Sequence, residues 1–309
     1  MTARQRAIEN PASLDALLEG LIDYAGLFPP ASESMRAAAE RYAEYLDSAD
    51  SRALARFIVP VNRLGELESL ASDLIPGPPQ SKPWRLAALV SGDASAAARE
   101  ILDFNQRYSV GSRARAEIDV VEMKANDASE ISAHHRALPR NLTTYFEIPT
   151  GGDLRQLVAA IAATGARAKI RTGGVTADAF PAAEVILDFM TACMDAGVPF
   201  KATAGLHHPL RGEYRLTYAP GSPRATMYGY LNVFLAAALL RVGAPRDVAL
   251  AALLETDPRS LDFGDDCITW RDRKLTTRQL HSVREFAISF GSCSFREPID
   301  ELAQLTRTS

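Results

Sequence analysis

Eight short β-rich apolar runs, each followed by a Gly, Pro or Asp break and then by an amphipathic stretch rich in Ala and Leu, recur along the chain. That alternation is βα repetition. The runs are LIDYAGLF (21–28), RFIVPV (56–61), RLAALVSG (85–92), AEIDVVEMK (116–124), TTYFEIP (143–149), RAKIRTGG (167–174), PFKATAGLHH (199–208) and FAISFGSCSF (286–295). Between them, segments such as 94–108, 152–165 and 181–197 place apolar residues near i, i+3 and i+4 and predict helices. Asp93 precedes the first and Gly197 ends the third, where start and stop signals belong. No strand is followed by GxGxxG and no Walker loop is present, so the predicted fold is α/β, a closed (β/α)8 TIM barrel, with an open doubly wound sheet as the alternative.

A chain of 309 residues, 47% of them apolar, can bury one large core, and a single domain over 1–309 is expected. The span 209–285 is too long for one crossover and predicts an inserted subregion before the last strand. Helices are expected near 225–242 and 245–255, and two short strands in 263–276 flanking a turn at Arg271–Asp272. Such a region suits a lid or a subunit contact, so a homo-oligomer is compatible with it.

Charge excludes several partners. The net charge of −4 comes from 34 basic and 38 acidic residues interspersed along the chain, which leaves no basic face for nucleic acid. The N-terminal segment carries Asn, Glu and Asp where an export signal needs apolar residues, and the longest apolar run, Val233 to Leu240, falls far short of the ~20 residues that cross a bilayer. Three widely spaced cysteines, Cys193, Cys267 and Cys293, suit free thiols in a reducing compartment. A cytoplasmic protein with neither membrane nor nucleic-acid partner is expected.

In barrels of this type the strand C-termini open onto the active site, and here those positions carry Asp23, Asp119, Glu122, Lys124, Glu147, Lys169, Arg171, Lys201 and His207. Charge inside a barrel costs several kcal/mol unless paired, so some of these residues serve as compensating ion pairs. Strand parity puts Lys169 with Arg171 on one face, and Lys201 with Thr203, Gly205 and His207 on another. Asp119 and Glu122 fall on opposite faces unless a bulge intervenes. Lysines on adjacent strands have a specific use: a desolvated amine, or one beside a second cation, becomes a nucleophile toward carbonyl carbon. The resulting iminium lets an adjacent carbon–carbon bond break or form while a carboxylate moves protons. Lys169 and Lys201 are the natural pair, with Asp119 or Glu147 as partner. The same lysines also suit non-covalent binding of an acidic substrate, and pattern alone leaves both open.

The segment AKIRTGGVTADAFPAAEVILDFMTACMDAGVPFKATAGLHHP (168–209) resembles the sixth and seventh strands of deoxyribose-phosphate aldolase. AEIDVVEMKAN (116–126) is similar to that family's fourth strand, LIDYAGL (21–27) to its first, and FAISFGSCS stands where the family has a Gly/Ser-rich phosphate turn. The resemblance implies that Lys169 forms the Schiff base, that Lys201 lowers its pKa, and that Asp119 is the acid/base residue. It also implies a phosphate near Gly173, Gly174, Gly205 and the Gly291–Ser292 turn. Arg171 replaces the family's small hydroxyl residue and AGLHHP its glycine pair, so a different anionic carbonyl substrate is expected. Such chemistry calls for no cofactor and no metal.

Two rivals stand beside this reading. Glu122, Glu147 and His207 or His208 could ligate a divalent cation that stabilises an enolate, with Lys124 or Lys169 as base, although nothing has tight ligand spacing. A non-catalytic barrel binding a small anion is the other, and a structure with every charge paired and no cleft would favour it. Cys293 reads as a small buried hydrophobe for want of a neighbouring His in sequence. YAGLFPPA (24–31) predicts a rigid loop that either walls a pocket or plugs the rim.

Overall fold

The computed structural model describes residues 10–77, 83–109 and 114–308; residues 1–9, part of the segment read for an export signal, lie outside them. Each of the eight runs contributes a barrel strand: β1 (Ile22–Tyr24), β2 (Leu54–Pro60), β3 (Trp84–Val90), β4 (Ala116–Lys124), β5 (Thr143–Glu147), β6 (Arg167–Arg171), β7 (Phe200–Thr203) and β8 (Ala287–Ser292). They pair in parallel and in sequence, and β1 closes the ring by pairing with both β2 and β8. This is a (β/α)8 barrel. Helices cover its outside, and the start read from sequence at Asp93 is capped as expected. Asp93 accepts from the amides of Ser95 and Ala96, so the helix Ala94–Arg107 begins where its first donors find a carboxylate.

Two apolar layers result. The large core lies between strands and helices, whereas Ile58, Ala87, Val120 and Tyr145 form a separate small cluster inside the barrel. Beside it lie the buried charged side chains of Asp23, Glu122, Glu147, Lys169 and Lys201. Lys124, Glu147, Lys169 and Lys201 form one row across β4–β7, because Lys124 pairs in register with Glu147, Glu147 with Lys169, and Lys169 with Lys201. Between β3 and β4 the register slips, with Leu86 opposite Ile118 but Ala87 opposite Val120, so a bulge leaves Asp119 without a partner.

The 209–285 region is partly the barrel's own last crossover. Helix Tyr230–Arg241 is buried along nearly its whole length and packs on β8 and the neighbouring helices, so it belongs to the core. It begins later than expected because Arg224–Met227 pairs with Gly212–Arg215 in a hairpin that the sequence reading did not separate. A small sheet of Leu261–Phe263, Cys267–Trp270 and Arg273–Thr276 follows, with the expected turn at Arg271–Asp272. Among the described residues no helix is long and apolar enough to cross a membrane.

Gly229 anchors the start of the crossover helix. A Cβ there would overlap the Pro209 carbonyl oxygen, Asn232 Oδ1 and Leu210 Cα, while the buried Asn232 donates to the carbonyls of Ala252 and Glu255 and accepts from the Arg211 amide. Gly229→Ala is therefore expected to cost about 1–3 kcal/mol through overpacking. Urea denaturation checks it, and a variant as stable as the parent would show that this junction can yield.

Candidate active site

A cavity of about 380 Å³ opens at the C-terminal end of the strands. Its lining brings together Glu122, Lys124, Glu147, Lys169, Arg171, Gly174, Thr203, Gly205, His207 and Gly291 from the residues expected at the site. Ala25, Phe28, Pro29 and Pro30 make one apolar wall, so the loop after β1 walls a pocket rather than plugging the rim.

Beneath the cavity the charges alternate in sign. Lys201 Nζ donates to Asp23 Oδ2 at 2.6 Å and also contacts Glu122 Oε1. Lys169 Nζ lies 2.7 Å from Glu122 Oε2 and 2.9 Å from Glu147 Oε2, as charge pairs off the line of regular hydrogen bonds. The Ser289 hydroxyl donates to the same Asp23 oxygen as Lys201, and the Arg56 amide donates to Oδ1. At the mouth, Lys124 and Arg171 approach Glu147 Oε1 at 3.9 and 3.8 Å, and both side chains are largely exposed. Four cations thus meet three carboxylates in this array, and the surplus positive charge stands at the entrance.

Burial by itself would raise the Glu122 carboxyl, but Lys169 and Lys201 outweigh it and hold the group down at about 2. Burial likewise opposes the charged form of Lys201, yet Asp23 and Glu122 keep it an ammonium, held above the ordinary lysine range. Because Glu122 is depressed from 4.5 to about 2, its contribution to stability is present above pH 4.5 and is lost as pH falls toward 2. Urea midpoints are therefore expected to decline steeply below pH 4.5, and Glu122→Gln should flatten that decline. An unchanged slope in the variant would assign acid sensitivity to other carboxylates.

Several expectations need correction. Lys201 does not line the cavity; it is bound to Asp23 and Glu122, and Glu122 stands between it and Lys169. Asp119 is no acid/base partner. The bulge leaves it toward the N-terminal end of β4, where it accepts from Arg56 Nε and Nη2 at 2.6 and 2.7 Å and from Arg85 Nη2 at 2.5 Å. Although burial opposes its charge, these two guanidinium groups keep the Asp119 carboxyl below its usual range. Asp23 also lies under the site rather than in it.

The glycine cradle is only partly open. A Cβ at Gly173 would overlap the Phe180 ring, and one at Gly205 would lie 2.8 Å from Phe180 Cε1, so an aromatic ring occupies one side of the place expected for a phosphate. Ser292 is buried outside the lining, with its hydroxyl 3.4 Å from His207 Nδ1. The metal trio is not assembled among the described residues: the Lys169 amine occupies the space between Glu122 and Glu147, and His207 faces Glu297 at 3.4 Å. A different group, His208, Glu297 and Glu301, gathers its ligand atoms within 4.8 Å of one another.

No protein-family model matches the chain, and no curated protein matches it. Among solved structures, a nitroalkane oxidase from Streptomyces ansochromogenes is similar at 16% identity with a TM-score of 0.31. That alignment covers 64% of this chain and 62% of the oxidase.

Residues that the sequence reading set aside complete the site. Cys293 lines the cavity beside His207, and Tyr218 and Glu297 close around them. Inside the barrel, the buried Tyr145 accepts from Arg167 Nη1 and offers its ring face to Lys201 Nζ, 5.5 Å from the centroid.

Proposed function

We propose that the protein is a lyase of the class I aldolase type, acting on a small anionic carbonyl compound through an imine at Lys169. The observation that carries this reading is the position of the Lys169 amine: it is buried, it floors the cavity, and it touches two carboxylates. Lys124 also lines the cavity, but its side chain is 74% exposed and serves better to bind charge.

Transfer of a Lys169 proton to Glu147 frees the amine, which attacks the carbonyl carbon. Loss of water then gives an iminium. Because that cation keeps the charge of the ammonium it replaces, Glu122 and Glu147 stabilise it without rearranging. Cleavage of the adjacent carbon–carbon bond sends its electron pair into the iminium, and Glu147 carries protons to and from the reacting carbon and oxygen. Lys124 and Arg171 take the substrate's carboxylate or phosphate at the mouth. The aldolase resemblance supports the lysine's role but assigns the acid to Asp119, whereas the carboxylates against Lys169 are Glu122 and Glu147, of which Glu122 is also held by Lys201.

Borohydride reduction in the presence of small aldehydes and keto acids, followed by peptide mass spectrometry, tests the proposal. A reduced adduct at Lys169 is expected. No adduct, with turnover appearing only on addition of a divalent cation, would overturn it in favour of enolate chemistry on a metal.

A further inference from the structure

The imine chemistry leaves one reactive pair in the cavity unused. Cys293 follows β8 and His207 follows β7, and these adjacent strands bring Sγ to 3.7 Å from His207 Nδ1. Glu297 Oε2 and Ser292 Oγ each lie 3.4 Å from the same Nδ1. Tyr218 donates to Glu297 Oε2 at 3.0 Å and places its hydroxyl 3.5 Å from Sγ. Cys293 and His207 both line the cavity above Lys169, and Cys293 also lines a second hollow bounded by Glu33, Arg41 and Tyr45.

We propose that Cys293 is a second nucleophile of this cavity, activated by His207, and that it adds reversibly to the carbonyl carbon of a small aldehyde. The thiol proton passes to His207 Nδ1, the sulfur–carbon bond forms as the carbonyl π bond opens, and the imidazolium returns the proton to the new oxyanion. A neutral thiohemiacetal results with no co-reactant. One proton moves out and back through one ring nitrogen, which matches a histidine whose sulfur, carboxylate and hydroxyl contacts all converge on Nδ1.

Cys293 Sγ and Glu297 Oε2 face the same nitrogen of His207, so the ring is placed to take the thiol proton beside a carboxylate. Other titratable groups nearby are Tyr218, His208 with its ring 6.3 Å away, Glu33, Arg41 and Tyr45 across the second hollow, and Lys124, Glu147, Lys169 and Arg171 around the cavity. Cys193 is buried with its thiol pushed up by burial, and Cys267 is half-buried beside Thr269, so both serve as internal references.

Iodoacetamide alkylation of the intact protein, read peptide by peptide from pH 5.5 to 10, tests the proposal. An ordinary thiol titrates near ~8.5, so at pH ~6 Cys293 is expected to react at least about tenfold faster than Cys267. His207→Gln should lower the rate at pH ~6 about tenfold while leaving the rate above pH ~9.5 within about twofold. If that variant does not fold, Glu297→Gln should lower the low-pH rate in the same sense. Propanal should slow alkylation of Cys293 in the parent and in Lys169→Arg alike, which separates this centre from imine formation. A Cys293 profile matching that of Cys267, or one unmoved by these substitutions, would overturn the activation; absence of protection by propanal would overturn the ligand class.

Discussion

Replacing Glu122 by alanine is expected to cost about 3–5 kcal/mol of folding stability, the cost of leaving buried charge without its partner. Glu122 is fully buried and, among the described residues, is the one carboxylate that touches both Lys169 and Lys201, so its loss strips one partner from each. Against a total of about 5–15 kcal/mol for an ordinary domain, that is a large fraction. Glu122→Gln separates charge from shape. It fills the same volume but turns an NH2 group toward one of two ammonium groups, so it too should be strongly destabilised in urea denaturation at neutral pH. A glutamine variant as stable as the parent would mean that packing, rather than the alternating charges, holds the barrel interior together.

This charge array also bears on why the barrel interior is built as it is. The same strands could fill the space with Val, Ile and Leu, as the cluster of Ile58, Ala87 and Val120 does on one side. Charged groups buried in place of such residues carry a desolvation penalty of several kcal/mol per ion, offset only in part by pairing. The pairing here is thorough, as a purely structural array would require. Yet it leads upward into an open cavity and ends there on Glu147, Lys124 and Arg171, which a structural array has no need to expose. Retaining paid-for charge at a cavity floor is what a site with a use for it would do.

Sequence carried the barrel because each strand announces itself twice, by its β-rich run and by the break that follows, and the helices between are long enough to show their period. It carried most of the cavity lining for a related reason: strand C-termini have a fixed place in this architecture, so Glu147, Lys169 and Arg171 could be located without knowing a single contact. What failed depended on single-residue offsets. Regular parity put Asp119 on the face opposite Glu122; a bulge opposite Leu86 and Ala87 does intervene, yet Asp119 ends against Arg56 and Arg85 rather than at the cavity, and nothing in AEIDVVEMK marks that bulge. Cys293 and His207 are 86 residues apart and meet only because β7 and β8 are neighbours in the closed ring. The hairpin of Gly212–Arg215 and Arg224–Met227 did carry a turn signal in its Pro-Gly-Ser, but the helical run directly after it obscured the second strand.

The two lysines, alike in sequence, should separate most sharply under substitution. Lys169→Arg keeps a cation between Glu122 and Glu147 but cannot form an imine, so borohydride-dependent labelling and any lyase turnover should fall at least about a thousandfold, on the scale that loss of a covalent nucleophile costs other enzymes. Circular dichroism should show the fold retained. Lys201→Met should behave oppositely. It leaves Asp23 and Glu122 each short of a partner in the buried interior, so a loss of about 3–5 kcal/mol is expected, while Lys169, which alone of the two reaches the cavity, should still be labelled in whatever fraction stays folded. Labelling that survives in Lys169→Arg and vanishes in Lys201→Met would transfer the nucleophile to the lower lysine and require the barrel interior to open during the reaction. The charge row across β4–β7 gives the reason to expect otherwise: Lys201 can leave its two carboxylates only by exposing both, whereas Lys169 exchanges one cation for another without disturbing either.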